Sequence, residues 1–291
     1  MKHTTDSIRN AMNRNGGQIP SDVLADLLAT RKLLGADTNA KTAKGRAKGF
    51  ATFILYMAPA DLSGFQMCPM ATKGCAAACL NTAGRGRMDG VQISRIWKAQ
   101  AFHRMRPEFM TKLDDEICRA RRWAERKGLT PVFRLNGTTD VRWESIPVPD
   151  EHGPYRSIMT AHPDVQFYDY TKLPNRRNLP PNYHLTFSYS GANGAHAQNA
   201  IRQGLNVAVV FRSREVAESA MQAGISIGSQ IWPAVDGDAD DLRFLDGRGQ
   251  IVALYAKGDA KRDLTGFVVD HGTIPVHLPA VTRASLACVA A

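Results

Sequence analysis

Short apolar segments alternate with longer polar or amphipathic segments along most of the chain. From residue 51 onward, seven segments rich in β-branched and aromatic residues are bounded by Gly, Pro, Asn or Asp, as is typical of strands. We predict a strand at each of them. They cover residues 51–57, 131–135, 165–170, 184–189, 206–211, 229–235 and 251–255.

The region between the first two strands has the periodicity of an amphipathic helix. Pro107 suits the first turn of this helix, and Gly128 follows its predicted end. Because proline cannot continue a preceding helix, we predict a separate helix over residues 91–105. Further helices are predicted over residues 197–203 and 214–223, each ending at a glycine. The apolar face of the first helix is formed by Phe109, Leu113, Ile117, Ala120 and Ala124.

Strands that alternate with helices are typical of a parallel sheet covered by helices. With seven or eight strands, we predict an α/β fold built as a parallel (β/α) barrel, full or partial. Three regions follow: a basic helical arm and linker over residues 1–48, the barrel over residues 49–275 and a C-terminal tail over residues 276–291. The arm contains a helix that begins near Ser21. Its linker is polar and carries Lys41, Lys44, Arg46 and Lys48.

The composition is that of a globular protein rather than a disordered one, since 44% of the 291 residues are hydrophobic and 22% are charged. No apolar segment reaches the roughly 18 to 20 residues needed to cross a bilayer, so we expect no membrane partner. The N-terminal residues lack the apolar segment of an export signal, which predicts a cytoplasmic location. In a reducing cytoplasm, the five cysteines favour metal or redox chemistry over disulfides.

The net charge of +10 is concentrated in one half of the chain. Residues 1–130 contain 22 Lys and Arg against 11 Asp and Glu, whereas the remaining residues are close to neutral. This excess favours a polyanionic partner, and a basic but solvated surface is the alternative. We expect the lysines of the linker, with Arg85, to bind a nucleic-acid backbone without reading its sequence.

Three of the cysteines, Cys68, Cys75 and Cys79, lie within 12 residues directly after the first predicted strand. Three thiolates suit a [4Fe–4S] cluster with one open iron, or a zinc ion completed by a histidine or water. The next histidine, His103, lies in a predicted helix and not at zinc-finger spacing, so we favour the cluster over zinc and over a turn of small buried residues. Cys118 is expected to pack as a small apolar residue.

Polar residues follow most of the predicted strands. Because chemistry in parallel α/β folds gathers at the C-terminal ends of the strands, we expect these residues to lie beside the cysteines. Asp236, Asp238 and Lys172 are candidate catalytic residues. Alternatively, Asp236, Asp238 and Asp241 would bind Mg²⁺ for nuclease chemistry. The polar segments are residues 134–140, 169–172, 188–191, 236–241 and 257–258.

The layout of residues 50–260 resembles that of the radical S-adenosylmethionine (SAM) superfamily. The shared features are three cysteines after the first strand, here spaced Cys-x6-Cys-x3-Cys, then a long helix and a glycine-containing polar motif after the second strand. The resemblance implies that the cysteines hold a [4Fe–4S] cluster, reduced by an electron donor, whose open iron binds SAM. It places Asn136 and Asp140 near the SAM amino group and Ser188 or Ser190 near its ribose or carboxylate.

Several segments are also similar to the gene-product-88 family of phage proteins. They span most of the chain: residues 68–81, 134–137, 167–172, 236–246, 256–258 and 265–269. The resemblance implies a phage setting, in which the cytoplasm would be that of the host cell, and it brings no activity.

Together these observations favour an iron–sulfur enzyme of the radical-SAM kind that modifies a nucleic acid or a nucleotide. The alternative from another class is a nucleic-acid-binding protein in which zinc at the cysteines is structural. A Mg²⁺-dependent nuclease is the third hypothesis. The metal at the cysteines distinguishes the first two, and metal-dependent cleavage that is insensitive to the cysteines would indicate the third.

Overall fold

The computed structural model describes residues 3–36, 40–149 and 157–276, which fold around a large β-sheet. Of the predicted C-terminal tail, only residue 276 lies within the described residues. The strands are β1 (Leu34–Ala36), β2 (Phe50–Leu55), β3 (Thr130–Arg134), β4 (Gln166–Thr171), β5 (Tyr183–Ser188), β6 (Asn206–Phe211), β7 (Ile225–Ile227), β8 (Gln230–Trp232), β9 (Ala234–Asp236), β10 (Ile251–Tyr255), β11 (Val268–Val269) and β12 (Thr273–Ile274).

Seven strands of the main sheet are parallel, in the order β2, β3, β4, β5, β6, β10 and β9. Strand β1 pairs antiparallel with β2, and β11 pairs with the end of β6. A second, three-stranded sheet contains β12, β7 and β8. The mixed α/β fold with a mostly parallel sheet confirms the predicted fold class at this level.

Nine α-helices connect the strands in the described part of the chain. Helices α5 and α6 are separate, with Pro107 in the first turn of α6, as predicted. The helices are α1 (Thr5–Arg14), α2 (Ser21–Thr30), α3 (Ala40–Arg46), α4 (Lys73–Ala77), α5 (Asp89–Arg104), α6 (Arg106–Glu125), α7 (Ile158–Ala161), α8 (Gly194–Arg202) and α9 (Arg214–Ala223).

The two faces of the main sheet are covered by different structures. Phe53, Phe133 and Phe167 lie on one face and pack with the apolar sides of α5 and α6. Helices α8 and α9 continue this layer over β6 and β10. The opposite face is covered by residues 237–246, which connect β9 to β10 and place Leu242 among Val132 and Tyr168.

A closed barrel is not formed by the described residues. Strands β1 and β9 lie at the two ends of the strand order, and no pairing between described strands joins them. The short antiparallel strand β1 pairs with the edge of β2 that a closing strand of a barrel would need. Residues 237–246 cover the sheet face opposite the helices, which we call the inner face. Among the described helices, none is both long and apolar enough to span a membrane.

Candidate functional site

The three cysteines of the predicted metal site lie in one loop that follows β2, which we call the cysteine loop (residues 68–82). Thr72 caps α4 by accepting a hydrogen bond from the Cys75 N–H at 3.1 Å. The Cys79 sulfur accepts from the Asn81 N–H at 3.5 Å, at the start of the turn Leu80–Thr82. Each of the three cysteines is half-buried. The local backbone therefore fixes where Cys75 and Cys79 lie.

The cysteine loop lies across the C-terminal ends of the parallel strands. The Cys68 thiol donates to the carbonyl of Thr138, which follows β3, at 3.7 Å. The Thr72 hydroxyl donates to the carbonyl of Ser190, after β5, at 3.1 Å, and the Thr82 hydroxyl donates to Asp259, after β10, at 3.0 Å. The loops that follow three strands thus meet the cysteine loop at this edge of the sheet.

Close packing on the segment between β10 and β11 also holds the cysteine loop in place. A Cβ on Gly74 would lie 1.8 Å from the Thr265 hydroxyl oxygen. A Cβ on Gly191, whose φ is +85°, would lie 2.7 Å from the backbone of Gly266. No side chain fits at either position, so both glycines are required by the close approach of these neighbours.

Lys172 is a cation placed among the thiols. It follows β4, and its charge interacts with those of Cys75, Asp140 and Cys68. Burial raises the pKa of Cys68 to about 12 and also raises the pKa of Cys79. Burial would lower the pKa of Lys172, but Cys75 and Asp140 outweigh it and raise that pKa. Without a metal the thiols of Cys68 and Cys79 therefore stay protonated, and the ammonium is ready to offset the charge of thiolates.

The spacing of the sulfur atoms bears on which metal centre the loop suits. A tetrahedral zinc with Zn–S bonds of about 2.3 Å holds its sulfur ligands about 3.8 Å apart. Among the described residues, the one group of three metal-ligand atoms lying within 4.8 Å of one another does not include these cysteines. A cluster keeps its thiolates further apart, since each binds a different iron. His103, the next histidine after the cysteines in the sequence, contacts the Met67 sulfur at 3.2 Å rather than completing a zinc site with the cysteines.

Asn136 and Asp140 lie beside the cysteine loop, but their polar atoms are already bonded within the protein. The Asn136 side-chain oxygen accepts from Thr139, Val141 and Trp143. The Asp140 carboxylate accepts from the Thr171 hydroxyl at 2.8 Å and the Lys172 N–H at 2.7 Å. Burial raises the pKa of Asp140. Both residues therefore shape the loop after β3 and hold it against Lys172.

Ser190 differs from these residues because its hydroxyl oxygen is buried with no hydrogen-bond partner among the described residues. The residue is 2% exposed, and its carbonyl accepts from the Thr72 hydroxyl in the cysteine loop. Ser188 is half-buried, and its carbonyl accepts from Asn193 at 3.0 Å. Of the two serines, Ser190 offers a free donor next to the cysteines.

The predicted catalytic carboxylates lie next to one another, and Asp238 lies against lysines. Asp236 is exposed and accepts the Asp238 N–H at 2.7 Å. The Asp238 carboxylate binds Lys41 at 2.7 Å and also Lys257. Burial alone would raise the pKa of Asp238, but Lys41 and Lys257 bring it below its usual range. Asp238 is thus part of an ion-paired network.

The lysines of the N-terminal linker contact residues 236–241, which we call the acidic segment, although Lys44 and Lys48 stay exposed. Lys44 donates to the Asp238 carbonyl at 3.2 Å, and Lys48 pairs with Asp240. The guanidinium of Arg46 lies 5.5 Å from the ring of Trp123. The linker and the acidic residues therefore form one surface, because opposite charges far apart in sequence attract and pair in the fold.

Arg95 belongs to the site, although the sequence analysis missed it. It projects from α5 and donates to the carbonyl of Asn81 at 2.9 Å, and its guanidinium lies 5.1 Å from the ring of Tyr56. Its charge lowers the pKa of nearby Cys79, against the larger effect of burial. The sequence signal for Arg95 was a cation among the apolar residues of a predicted helix. Only the fold shows that this side chain faces the cysteine loop.

Comparison with known proteins identifies the family of this chain. No curated protein and no solved structure matches it. A family model described as Gene product 88 matches residues 28–271, which cover the sheet, the cysteine loop and the acidic segment. The chain therefore belongs to the Gene product 88 family of phage proteins, as the motifs around the cysteines predicted.

Proposed function

We propose that this protein is an iron–sulfur enzyme in which Cys68, Cys75 and Cys79 hold a [4Fe–4S] cluster. The observation that carries the proposal is the assembly of three half-buried thiols, with Lys172 among them, over the C-terminal ends of a parallel sheet. A cluster with three cysteine ligands leaves one iron open, and SAM bound there would supply radical chemistry. The parallel strands and the helices on one face of the sheet are the features that the fold shares with the predicted layout, and residues 237–246 cover the other face.

The residues around the cysteines would have different roles at this cluster. Lys172 would offset the negative charge of the thiolates, since its charge interacts with those of Cys75 and Cys68. Ser190 is placed to donate to a bound cofactor, because its hydroxyl has no partner among the described residues. Asn136 and Asp140, in contrast, orient the loop rather than the cofactor.

We further propose a nucleic acid or nucleotide as the substrate. Exposed cations border the cysteine loop on several sides, and Asp259 pairs with two of them, Arg87 and Arg262. This surface would attract phosphates toward the thiols. The exposed cations are Lys73, Arg85, Arg87, Lys261 and Arg262.

The two alternative functions have weaker support. A zinc site needs the sulfurs closer together, and His103 contacts Met67 rather than completing such a site. A Mg²⁺ site in the acidic segment competes with cations of the chain, because Asp238 pairs with lysines and Asp241 with Arg134.

Anaerobic reconstitution followed by iron and sulfide analysis tests the metal centre. We expect about four irons and four sulfides per chain, loss of both in Cys75→Ser, and full retention in the matched control Cys118→Ser. Ser190→Ala should keep the iron but weaken SAM binding in equilibrium dialysis. One zinc per chain without sulfide would reject the proposal.

Salt-dependent binding tests the substrate class. Replacing Lys73, Arg85 and Lys261 by Ala should flatten the dependence of the logarithm of affinity on the logarithm of salt, by about 0.9 for each duplex phosphate that these side chains no longer neutralise. The matched control replaces Arg119, Arg126 and Lys127, which are exposed on α6 and after it. If only the control changes the slope, nucleic acid binds at α6 and not at the cysteine loop.

A further inference from the structure

A second group of metal-ligand side chains lies on α6, at a distance from the cysteine loop. Asp114 and Cys118 are four residues apart and therefore share one face of this helix. His162 follows α7 and precedes β4, whereas Lys172 follows β4. The two groups thus lie toward opposite ends of this parallel strand. We infer that Asp114, Cys118 and His162 form a zinc site that is separate from the cysteine loop.

The three ligand atoms already lie close together. The carboxylate oxygen, the sulfur and the imidazole nitrogen are all within 4.8 Å of one another. A tetrahedral zinc holds such ligands about 3.4 to 3.8 Å apart, so shifts of about 1 Å complete the geometry. His162 is 4% exposed, and Asp114 and Cys118 are half-buried. The site is therefore anchored on one side and open to solvent on the other.

The hydrogen bonds of His162 indicate which nitrogen would bind. Nδ1 faces the Arg121 guanidinium at 3.3 Å and must accept, since arginine only donates. Nε2 therefore carries the hydrogen and donates to Asp114 Oδ1 at 2.7 Å. A cation next to Nδ1 disfavours a metal there. Nε2 and Asp114 are the pair that a metal ion would bridge.

Zinc is the metal that this donor set favours. It combines a thiolate, an imidazole and a carboxylate, which suits a borderline ion more than the hard cations Mg²⁺ or Ca²⁺. Three protein ligands leave the fourth position to water. The carboxylate and thiolate together balance the charge of the ion, and Arg121 keeps Asp164 as its other partner when it leaves Nδ1.

Binding changes the protonation of two ligands. The Nε2 hydrogen is replaced by a hydrogen on Nδ1, which leaves the imidazole neutral, and the Cys118 thiol releases one proton to solvent. One proton leaves for each zinc bound, so the affinity should fall about tenfold for each unit of pH below the pKa of the thiol.

Titration with cobalt(II), which absorbs visible light strongly when tetrahedral, tests the site in the full chain. The Cys68→Ser, Cys75→Ser, Cys79→Ser background removes the cysteine loop as a binder. We expect one cobalt per chain in this background, displaced by zinc. Adding Cys118→Ser should weaken binding more than about 100-fold, beyond the effect of losing an outer partner. The control Asp115→Asn, an exposed neighbour on α6, should leave binding unchanged.

Thermal unfolding of chains with single substitutions gives a second measurement if the triple background does not fold. Zinc should raise the melting temperatures of the Asp115→Asn chain and the Cys75→Ser chain by similar amounts, because a ligand that binds the folded state stabilises that state. The rise should be smaller in Cys118→Ser. Equal zinc responses in Cys118→Ser and Asp115→Asn, or no tetrahedral cobalt bands in a folded triple background, would overturn the inference. Neither result depends on whether the cysteine loop holds iron.

Discussion

Lys172 is the residue through which the charge at the proposed cluster can be tested. The charges of Cys75 and Asp140 raise the pKa of its ammonium. We expect Lys172→Met to lower the reduction potential of the proposed cluster, because a positive charge stabilises the more negative reduced state. The shift is on the order of 100 mV at an effective dielectric constant of about 20 and a separation of about 6 Å. Redox titration followed by electron paramagnetic resonance measures it.

Lys172→Arg is the matched control for this change, since it keeps the charge. Its potential should stay close to that of the wild type. A similar potential in both variants would mean that Lys172 has only a packing role.

The buried ion pair between Arg134 and Asp241 ties the inner face of the sheet to the segment that covers it. The two groups are 3.2 Å apart, and the Tyr168 hydroxyl also donates to Asp241. Asp241→Asn leaves a buried guanidinium without its counter-charge, so we expect a loss of about 3 to 5 kcal/mol in the free energy of unfolding. Urea denaturation followed by circular dichroism measures this loss.

An exposed pair provides the comparison. Arg214 and Glu218 are four residues apart on α9 and both lie in solvent. Glu218→Gln should change the stability little, because water screens such pairs. Equal losses of stability in Asp241→Asn and Glu218→Gln would show that the pair between Arg134 and Asp241 is not protected from water.

At the residue scale, the sequence predicted that the cysteines, Lys172 and Ser190 lie together at one edge of the sheet, because residue type and position after a strand were enough, and the fold brings them together. It did not identify Arg95, whose role depends on which way α5 faces. It also placed Asp238 in the chemistry, whereas the fold pairs that carboxylate with Lys41, nearly 200 residues away. Long-range charge pairing leaves no local pattern in a sequence.

Helix α4 is the element on which the spacing of the thiols depends. It approaches the segment after β10 so closely that a methyl group at Gly74 would lie 1.8 Å from the Thr265 oxygen. Gly74→Ala should therefore push α4 away and lower the iron retained after reconstitution. Gly90→Ala in α5 is the control, since its Cβ would lie 3.4 Å from the nearest atom. Equal iron content in both variants would show that the contact at Gly74 does not position the cysteines.

Most of the long elements could be predicted, and most of the short ones could not. Strands β6 and β10 match their predicted ranges, and α9 matches its predicted bounds. The predicted strand over residues 229–235 divides at Pro233 into β8 and β9, which belong to different sheets. Two- and three-residue strands carry too few side chains for a period to show. These short strands form where the edge of a neighbouring strand is available for pairing.

At the scale of the whole molecule, two buried groups should give the stability opposite dependences on pH. Burial raises the pKa of Asp169 to about 7, so its contribution is lost as the pH rises from about 4 to 7. Burial lowers the pKa of His184 to about 4, so its contribution is lost as the pH falls from about 6.5 to 4. The two slopes oppose each other in the same window.

We therefore expect the wild-type free energy of unfolding to vary less between pH 4 and 7 than that of either variant. Asp169→Asn should make the stability rise with pH, and His184→Gln should make it fall. Denaturant unfolding at a series of pH values measures both slopes. Slopes of the same sign in the two variants would contradict the assignment.

The contact between the N-terminal lysines and the acidic segment also has a consequence for the order of folding. Lys41 and Lys48 bind residues 196 and 192 positions later in the chain. During synthesis, the contacts of Lys41 and Lys48 with residues 237–240 form only after those residues have left the ribosome, and residues 237–246 do not cover the inner face of β2 to β4 before then. Contacts of such separation form slowly. We therefore expect a nascent chain stopped before β9 to expose that face and to need chaperones to stay in solution.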